Sequence, residues 1–292
     1  METKPLLLLL SLAVLWTACK DKKLTVSQPQ AMGSKFDPDS AALFSRLDSN
    51  EIFRRLFDNP VINGKTAVWK PNYYEGMTFL RSYDDSCHTA MDTILHFINR
   101  DGQPCAVTVF ATYSYIKDSM DGLKVKISGC HFCSAQVGMA LFEQRADGKW
   151  EIYEFEKLLT DAGVFGGAGV GGVGEYSLVK IEDNWTALLL KKPVSAGMGE
   201  EEGDAELYAI EAKMPNGYPG LTLKPILSYS YHHSVHDEPG EPELEENTTL
   251  NVVKRKMGYS IIRLVTIKNG RRTSRDYRFQ DGENSFVQTR GR

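Results

Sequence analysis

Two short segments hold most of the redox-competent and metal-competent side chains of this chain. The first is Cys130-His131-Phe132-Cys133. A CxxC pair does thiol chemistry when it opens a helix, because the helix N-terminus lowers the pKa of the leading thiol. Here the following run, Ser134 to Gln144, contains Gly138 and reads as the entry into a strand. That context points to a structural disulfide, with a thiol-redox role as the alternative. The second segment is Tyr231-His232-His233-Ser234-Val235-His236-Asp237-Glu238, with three of the six histidines. Alternate strand residues share a face, so His232, Ser234 and His236 would point the same way. The imidazoles of His232 and His236, joined by a carboxylate from elsewhere, would suit Zn2+ or Cu2+. Without that carboxylate the segment is a polar strand end. Ser234 beside His233 and Asp237 is no triad, since triad members converge from separate elements.

Other motifs say less. The run Gly167-Ala168-Gly169-Val170-Gly171-Gly172-Val173-Gly174 contains GxGxxG. A dinucleotide cradle needs a helix after the glycines, whereas Glu175 to Ile181 alternates like a strand, so a loop is expected and no cofactor. The acidic runs Glu200-Glu201-Glu202 and Glu241 to Glu246 lack the alternation of a calcium loop and read as solvated loops. Lys254-Arg255-Lys256 and Arg271-Arg272 read as solvated turns, able to meet anionic lipid only if the fold turns them to a membrane. No catalytic constellation emerges, which favours a non-enzymatic role.

The elements that must position these residues are mostly strands. Asn-Gly or Asp-Gly pairs recur at 63, 101, 121, 147, 216, 269 and 281, and such pairs tolerate the positive φ of tight hairpins. Between them lie β-like runs: Ala106–Tyr115, Val137–Gln144, the run from Trp150, Tyr176–Ile181, Trp185–Leu190, Ala205–Ala212, Ile226–Tyr231, Thr248–Val253, Tyr259–Ile267 and Arg275–Phe279. The segment Met91 to Ile98 has helical spacing, but its β-branched residues and the following Asp-Gly predict a strand. Loops are expected at 161–174, 196–204 and 237–247. Near the N-terminus, Asp37-Pro38 reads as a helix start, with Leu43, Phe44 and Leu47 at helical spacing. Ser49 restarts the pattern, with Ile52, Phe53, Leu56 and Phe57 on one face. The expected body is mainly β, an antiparallel sandwich or a partial propeller-like stack of hairpins with a small N-terminal helical element.

The first residues give an address. An apolar run from Leu6 to Trp16 is too short to span a bilayer, which needs about 20 residues, and fits a signal peptide. Its end, Leu15-Trp16-Thr17-Ala18-Cys19, resembles a bacterial lipobox. That resemblance implies cleavage before Cys19 and acylation of its thiol. Lys20 after Cys19 leans, by the same resemblance, towards the outer membrane facing the periplasm. The stretch from Cys130 to Tyr208 is similar to uncharacterised exported bacterial proteins that carry a CHxC motif, a strand, a Gly-Lys-Trp turn (here Gly148-Lys149-Trp150) and a glycine-rich segment. It implies a β-rich domain and no activity.

An oxidising compartment makes the four remaining cysteines, Cys87, Cys105, Cys130 and Cys133, candidates for two disulfides. Three connectivities exist; the most local joins Cys130 to Cys133 and Cys87 to Cys105. A formal charge of -4 gives no reason to expect nucleic acid. The expected organisation is a signal peptide at 1–18, a lipidated tether at 19–36, a helical element at 37–60 and an antiparallel β domain at 61–292. The expected partners are a membrane, met through acyl chains, and an envelope protein or small ligand.

Overall fold

A computed structural model describes residues 43–70, 87–99, 101–117, 124–126, 134–163, 175–183, 185–197, 200–213, 219–221, 225–235 and 244–289. All belong to one contact unit, Phe36–Arg292. The leader, Cys19, the tether, the Cys130-to-Cys133 motif, the glycine run 167–174 and His236 lie outside the described residues.

The first half of the chain builds one sheet. It contains β1 (Leu43–Phe44), then α1 (Ser49–Leu56), β2 (Val61–Asn63), β3 (Thr66–Trp69), β4 (Cys87–Ile98), β5 (Pro104–Lys117), β6 (Lys124–Lys126), β7 (Ser134–Gln144) and β8 (Trp150–Gly163). The spatial order is β1-β8-β7-β5-β4-β3-β2, with β6 beside β5. The second half builds the other sheet from β9 (Tyr176–Glu182), β10 (Trp185–Gly197), β11 (Glu200–Lys213), β12 (Pro219–Leu221), β13 (Leu227–Val235), β14 (Leu244–Val253), β15 (Ile261–Lys268), β16 (Arg271–Gln280) and β17 (Ser285–Gln288). Its order is β17-β16-β15-β14-β13-β11-β10-β9, with β12 beside β11. Every pairing is antiparallel. Of the two expected architectures, the sandwich is the one formed, with one sheet curled into a half-barrel.

The hairpins form where the turn chemistry allows them. Gly64, Gly102, Gly148 and Gly270 all take positive φ, and Asn269 joins Gly270 there with φ 45°. Two consecutive left-handed residues match the twist of the flanking strands, which is why Asn-Gly closes β15 onto β16.

Three cores stack through the molecule. The outermost lies under α1, where Ile52, Phe53, Leu56 and Phe57 pack on Phe44, Trp69, Phe110, Phe142 and Phe155. Eight residues make too short a helix to persist alone, so this apolar face holds it in place. Asp48 caps it, its Oδ1 accepting from the Glu51 N–H at 2.9 Å. The second core lies between the sheets, where Val107, Val109, Val137, Met139 and Leu141 meet Leu188, Leu190, Tyr208 and Ile210. The third fills the half-barrel, with Trp185 stacked on Phe286 at 5.8 Å and edge-on to Phe279 at 5.0 Å. Strands β5, β7, β10 and β11 are thus covered on both faces. Where both faces are covered the sequences are mainly apolar, at Ala106–Ala111, Val137–Phe142, Ala187–Leu190 and Leu207–Ile210.

Two irregularities join the layers. In β4 the register shifts between Met91 and Ile94. The backbone freed there is met by Tyr176 of β9, whose hydroxyl accepts from Thr93 N–H at 2.9 Å and donates to Thr93 O at 2.8 Å. In β7 a shift between Val137 and Met139 surrounds Gly138, where an added Cβ would lie 2.5 Å from the Lys157 carbonyl.

Three expectations are corrected. Leu43 and Phe44 do not begin a helix; Phe44 is fully buried in a short strand paired with Trp150 of β8, because its ring is needed in the outer core. The segment 196–204 is no loop: Ala196 and Gly197 pair with Glu201 and Glu200, so the strands run almost to the hairpin tip. The pairing of Cys87 with Cys105 is excluded by register. Cys87 faces Ser114 and Cys105 faces Phe97, so nine positions of β5 separate them, roughly 30 Å at about 3.3 Å per residue. A disulfide needs Cα atoms within about 7 Å. Both cysteines are buried.

Candidate functional site

Strand β11 opens with Glu200-Glu201-Glu202-Gly203-Asp204-Ala205-Glu206. Carboxylates occupy every second position, 200, 202, 204 and 206, and a two-residue period sets them along one face of a strand. The ladder runs inward. Glu200 and Glu202 are exposed, Asp204 is half-buried, and the Glu206 side chain is only 15% exposed.

At the outer end the ladder meets β13. Register sets Glu202 directly opposite His233 and Glu200 opposite Val235. His233 Nε2 lies 3.1 Å from Glu200 Oε1. One donor atom each from Glu200, Glu202 and His233 fall within 4.8 Å of one another. The register of β13 shifts beside Gly203, which faces His232 while Asp204 faces Ser230. Gly203 is needed there, because a Cβ would sit 2.5 Å from the Tyr231 ring. On the far side of β13, Glu246 stands opposite His233, and Lys268 Nζ neutralises it at 3.2 Å.

At the inner end the ladder meets a buried cation. Lys192 Nζ donates to Glu206 Oε1 at 2.8 Å and to Thr160 Oγ1 of β8 at 2.6 Å, so one ammonium joins the two sheets. Tyr208 OH donates to Glu206 Oε2 at 2.7 Å. Burial, and then the neighbouring Glu206 charge, push the Tyr208 phenol far above its ordinary range. Asp204 is also pushed upward. Burial is the main cause, Lys192 opposes it, and Glu206 and Glu202 add to it.

The outer cluster offers one imidazole nitrogen and two flexible carboxylates. Around an ion with bonds of about 2.1 Å, tetrahedral ligand atoms stand about 3.4 Å apart. The His233–Glu200 contact, at 3.1 Å, is close to that spacing. A mixed N and O set of this kind suits Zn2+ or Mn2+ better than a soft, thiol-seeking metal.

The sequence-derived metal pair maps differently. His232 Nδ1 lies 2.9 Å from Asn247 Oδ1, and its Nε2 is 3.9 Å from Glu201, a set of partners separate from those of His233. His236 lies outside the described residues. The residue brought to the carboxylates is therefore His233. Its partners were legible as an E-x-E-x-D-x-E alternation, which the reading of Glu200 to Glu202 as a loop obscured. Ser234 is buried, with its hydroxyl unpaired among the described residues. Of the cysteine candidates, Cys87 of β4 and Cys105 of β5 stand at opposite ends of the β4–β5 pair, and Cys130 and Cys133 lie outside the described residues.

No protein-family model, no curated protein and no solved structure matches this chain.

Proposed function

We propose that this chain is a lipid-anchored protein of the bacterial cell envelope, held on the periplasmic face of the outer membrane, with a non-enzymatic binding or structural role. The observation that carries the reading is the apolar run Leu6 to Trp16 ending in Ala18-Cys19, where acyl chains on one thiol would give a stable anchor. A β sandwich of paired hairpins is compatible with a folded body joined to the bilayer by a polar tether. No described helix is long and apolar enough to cross a membrane. The test is metabolic labelling with a fatty-acid analogue. Wild-type protein takes up label and stays with the membrane fraction, whereas Cys19→Ser takes up none. Equal labelling of both, or an intact leader on cytosolic protein, overturns the reading.

A second reading is supported by the approach of Glu200, Glu202 and His233. The envelope protein would then handle a divalent cation, taken at this cluster in place of the pair His232 and His236. Titration calorimetry of the purified chain with Zn2+ and Mn2+ tests it. Binding that weakens at least tenfold in both His233→Ala and Glu202→Gln supports it. Absence of binding, or binding untouched by these substitutions, ends it.

A further inference from the structure

Charge is strongly sorted along this chain. Residues 254–280 carry nine cations, Lys254, Arg255, Lys256, Arg263, Lys268, Arg271, Arg272, Arg275 and Arg278, against the single acid Asp276. That is +8 within a chain of formal charge -4, so the remainder stands at -12. Three of the nine are matched: Lys254 with Asp183, Arg263 with Asp276, and Lys268 with Glu246. The other six have no ion-pair partner among the described residues, and all six are exposed. Along β16, Arg272 and Arg278 lie on the face away from buried Phe279 and Arg271 and Arg275 on the other; Arg271, Arg272 and Arg275 stand on the stretch that β17 does not cover, so this free edge presents arginines from both faces. Arg271 and Arg272 stand at the Asn269-Gly270 turn of the β15–β16 hairpin, Arg275 in its middle, and Arg278, opposite Ile261, beside the loop that carries Arg255 and Lys256.

The same segment exposes apolar side chains. Met257 follows Lys254-Arg255-Lys256 directly and is 83% exposed; Ile267, beside Lys268, is 49% exposed. An edge strand needs some charge to block pairing with another sheet, and Arg271 to Arg275 would serve that purpose. Edge protection gives no reason for a second basic run in the 254–260 loop, or for a fully presented methionine inside it. Cations around a projecting apolar side chain fit phosphate headgroups with the hydrocarbon boundary beneath them.

We propose that the β15–β16 hairpin and the loop before it form a basic plate that lays the folded body against an anionic phospholipid surface. The proposal rests on the envelope reading for its setting, but not on Cys19 for its contacts.

The test uses the full chain carrying Cys19→Ser, so that no acyl group contributes. It is sedimented with vesicles of phosphatidylcholine alone, or with roughly a third of the lipid replaced by phosphatidylglycerol. The expected partition is at least about tenfold tighter on the anionic vesicles, and added salt abolishes the difference. The triple substitution Arg271→Ser, Arg272→Ser, Arg275→Ser lowers anionic partition by about fivefold for each arginine that reaches the surface. Met257→Ser lowers it too, while leaving the salt response in place. Lys149→Ser with Lys180→Ser, far from the plate in sequence, changes nothing. Circular dichroism checks that each variant is folded. Equal partition on the two vesicle types overturns the proposal. So does wild-type partition by the arginine variant, aggregation of that variant with lipid binding intact, or a preference for duplex DNA without uptake by vesicles. Fatty-acid labelling of the wild type is read separately. A failure there removes the anchor alone, and a failure in the vesicle assay removes the plate alone.

Discussion

Replacing Lys192 by methionine should expose how the two sheets are held together. The Lys192 side chain is 9% exposed, and that of its partner Glu206 is 15% exposed. Methionine keeps most of the stem and its packing but removes the charge. Glu206 is then left nearly dry with only the Tyr208 hydroxyl, and Thr160 loses its link across the layers. Breaking one side of a buried pair costs about 3–5 kcal/mol. The double variant Lys192→Met, Glu206→Gln has no buried charge to strand, and should recover most of the stability at pH 7. Urea unfolding of the three proteins at pH 7, followed by tryptophan fluorescence, measures this. A Lys192→Met cost below about 0.5 kcal/mol, or a double variant no more stable than Lys192→Met alone, would refute the coupling.

Other outcomes follow from the same geometry. Gly138→Ala drives a Cβ into the Lys157 and Glu156 carbonyls, at 2.5 and 2.8 Å, and should cost about 1–3 kcal/mol by urea unfolding, since backbone on both strands has to move. Asp204 has a raised pKa in the fold, mainly through burial. A group raised in this way favours folding below its unfolded pKa, and that favour is lost as pH climbs through the folded value. At pH 7 the ionised side chain therefore opposes folding. Asp204→Asn should raise the urea midpoint at pH 7, and the gain should vanish near pH 3.

Much of this architecture was legible in the sequence, because hairpins are local. Asn63-Gly64, Asp101-Gly102, Asp147-Gly148 and Asn269-Gly270 mark turns by their own backbone preferences, with no help from the rest of the fold. The strand at Met91 to Ile98 was legible for the same reason. Phe44 was not, since its helical spacing is real and only the distant Phe142 and Trp150 decide its conformation. The site was half legible. The spacing of Glu200, Glu202, Asp204 and Glu206 is visible in one dimension, but Gly203 made the stretch look like a turn. In the fold that glycine makes room for the Tyr231 ring, and nothing nearby in sequence announces the need. His233 reached the carboxylates through a register shift, which side-chain periodicity alone does not reveal.

Each sheet is woven from one half of the polypeptide, and among the described residues the core they share is the apolar layer between them. A cut between Gly163 and Glu175 would leave two complementary fragments with every hairpin intact. Each alone would carry a wet, sticky face and a severed Lys192–Thr160 link. Mixed, they have the means to find each other again, so the chain has the layout of a natural split reporter.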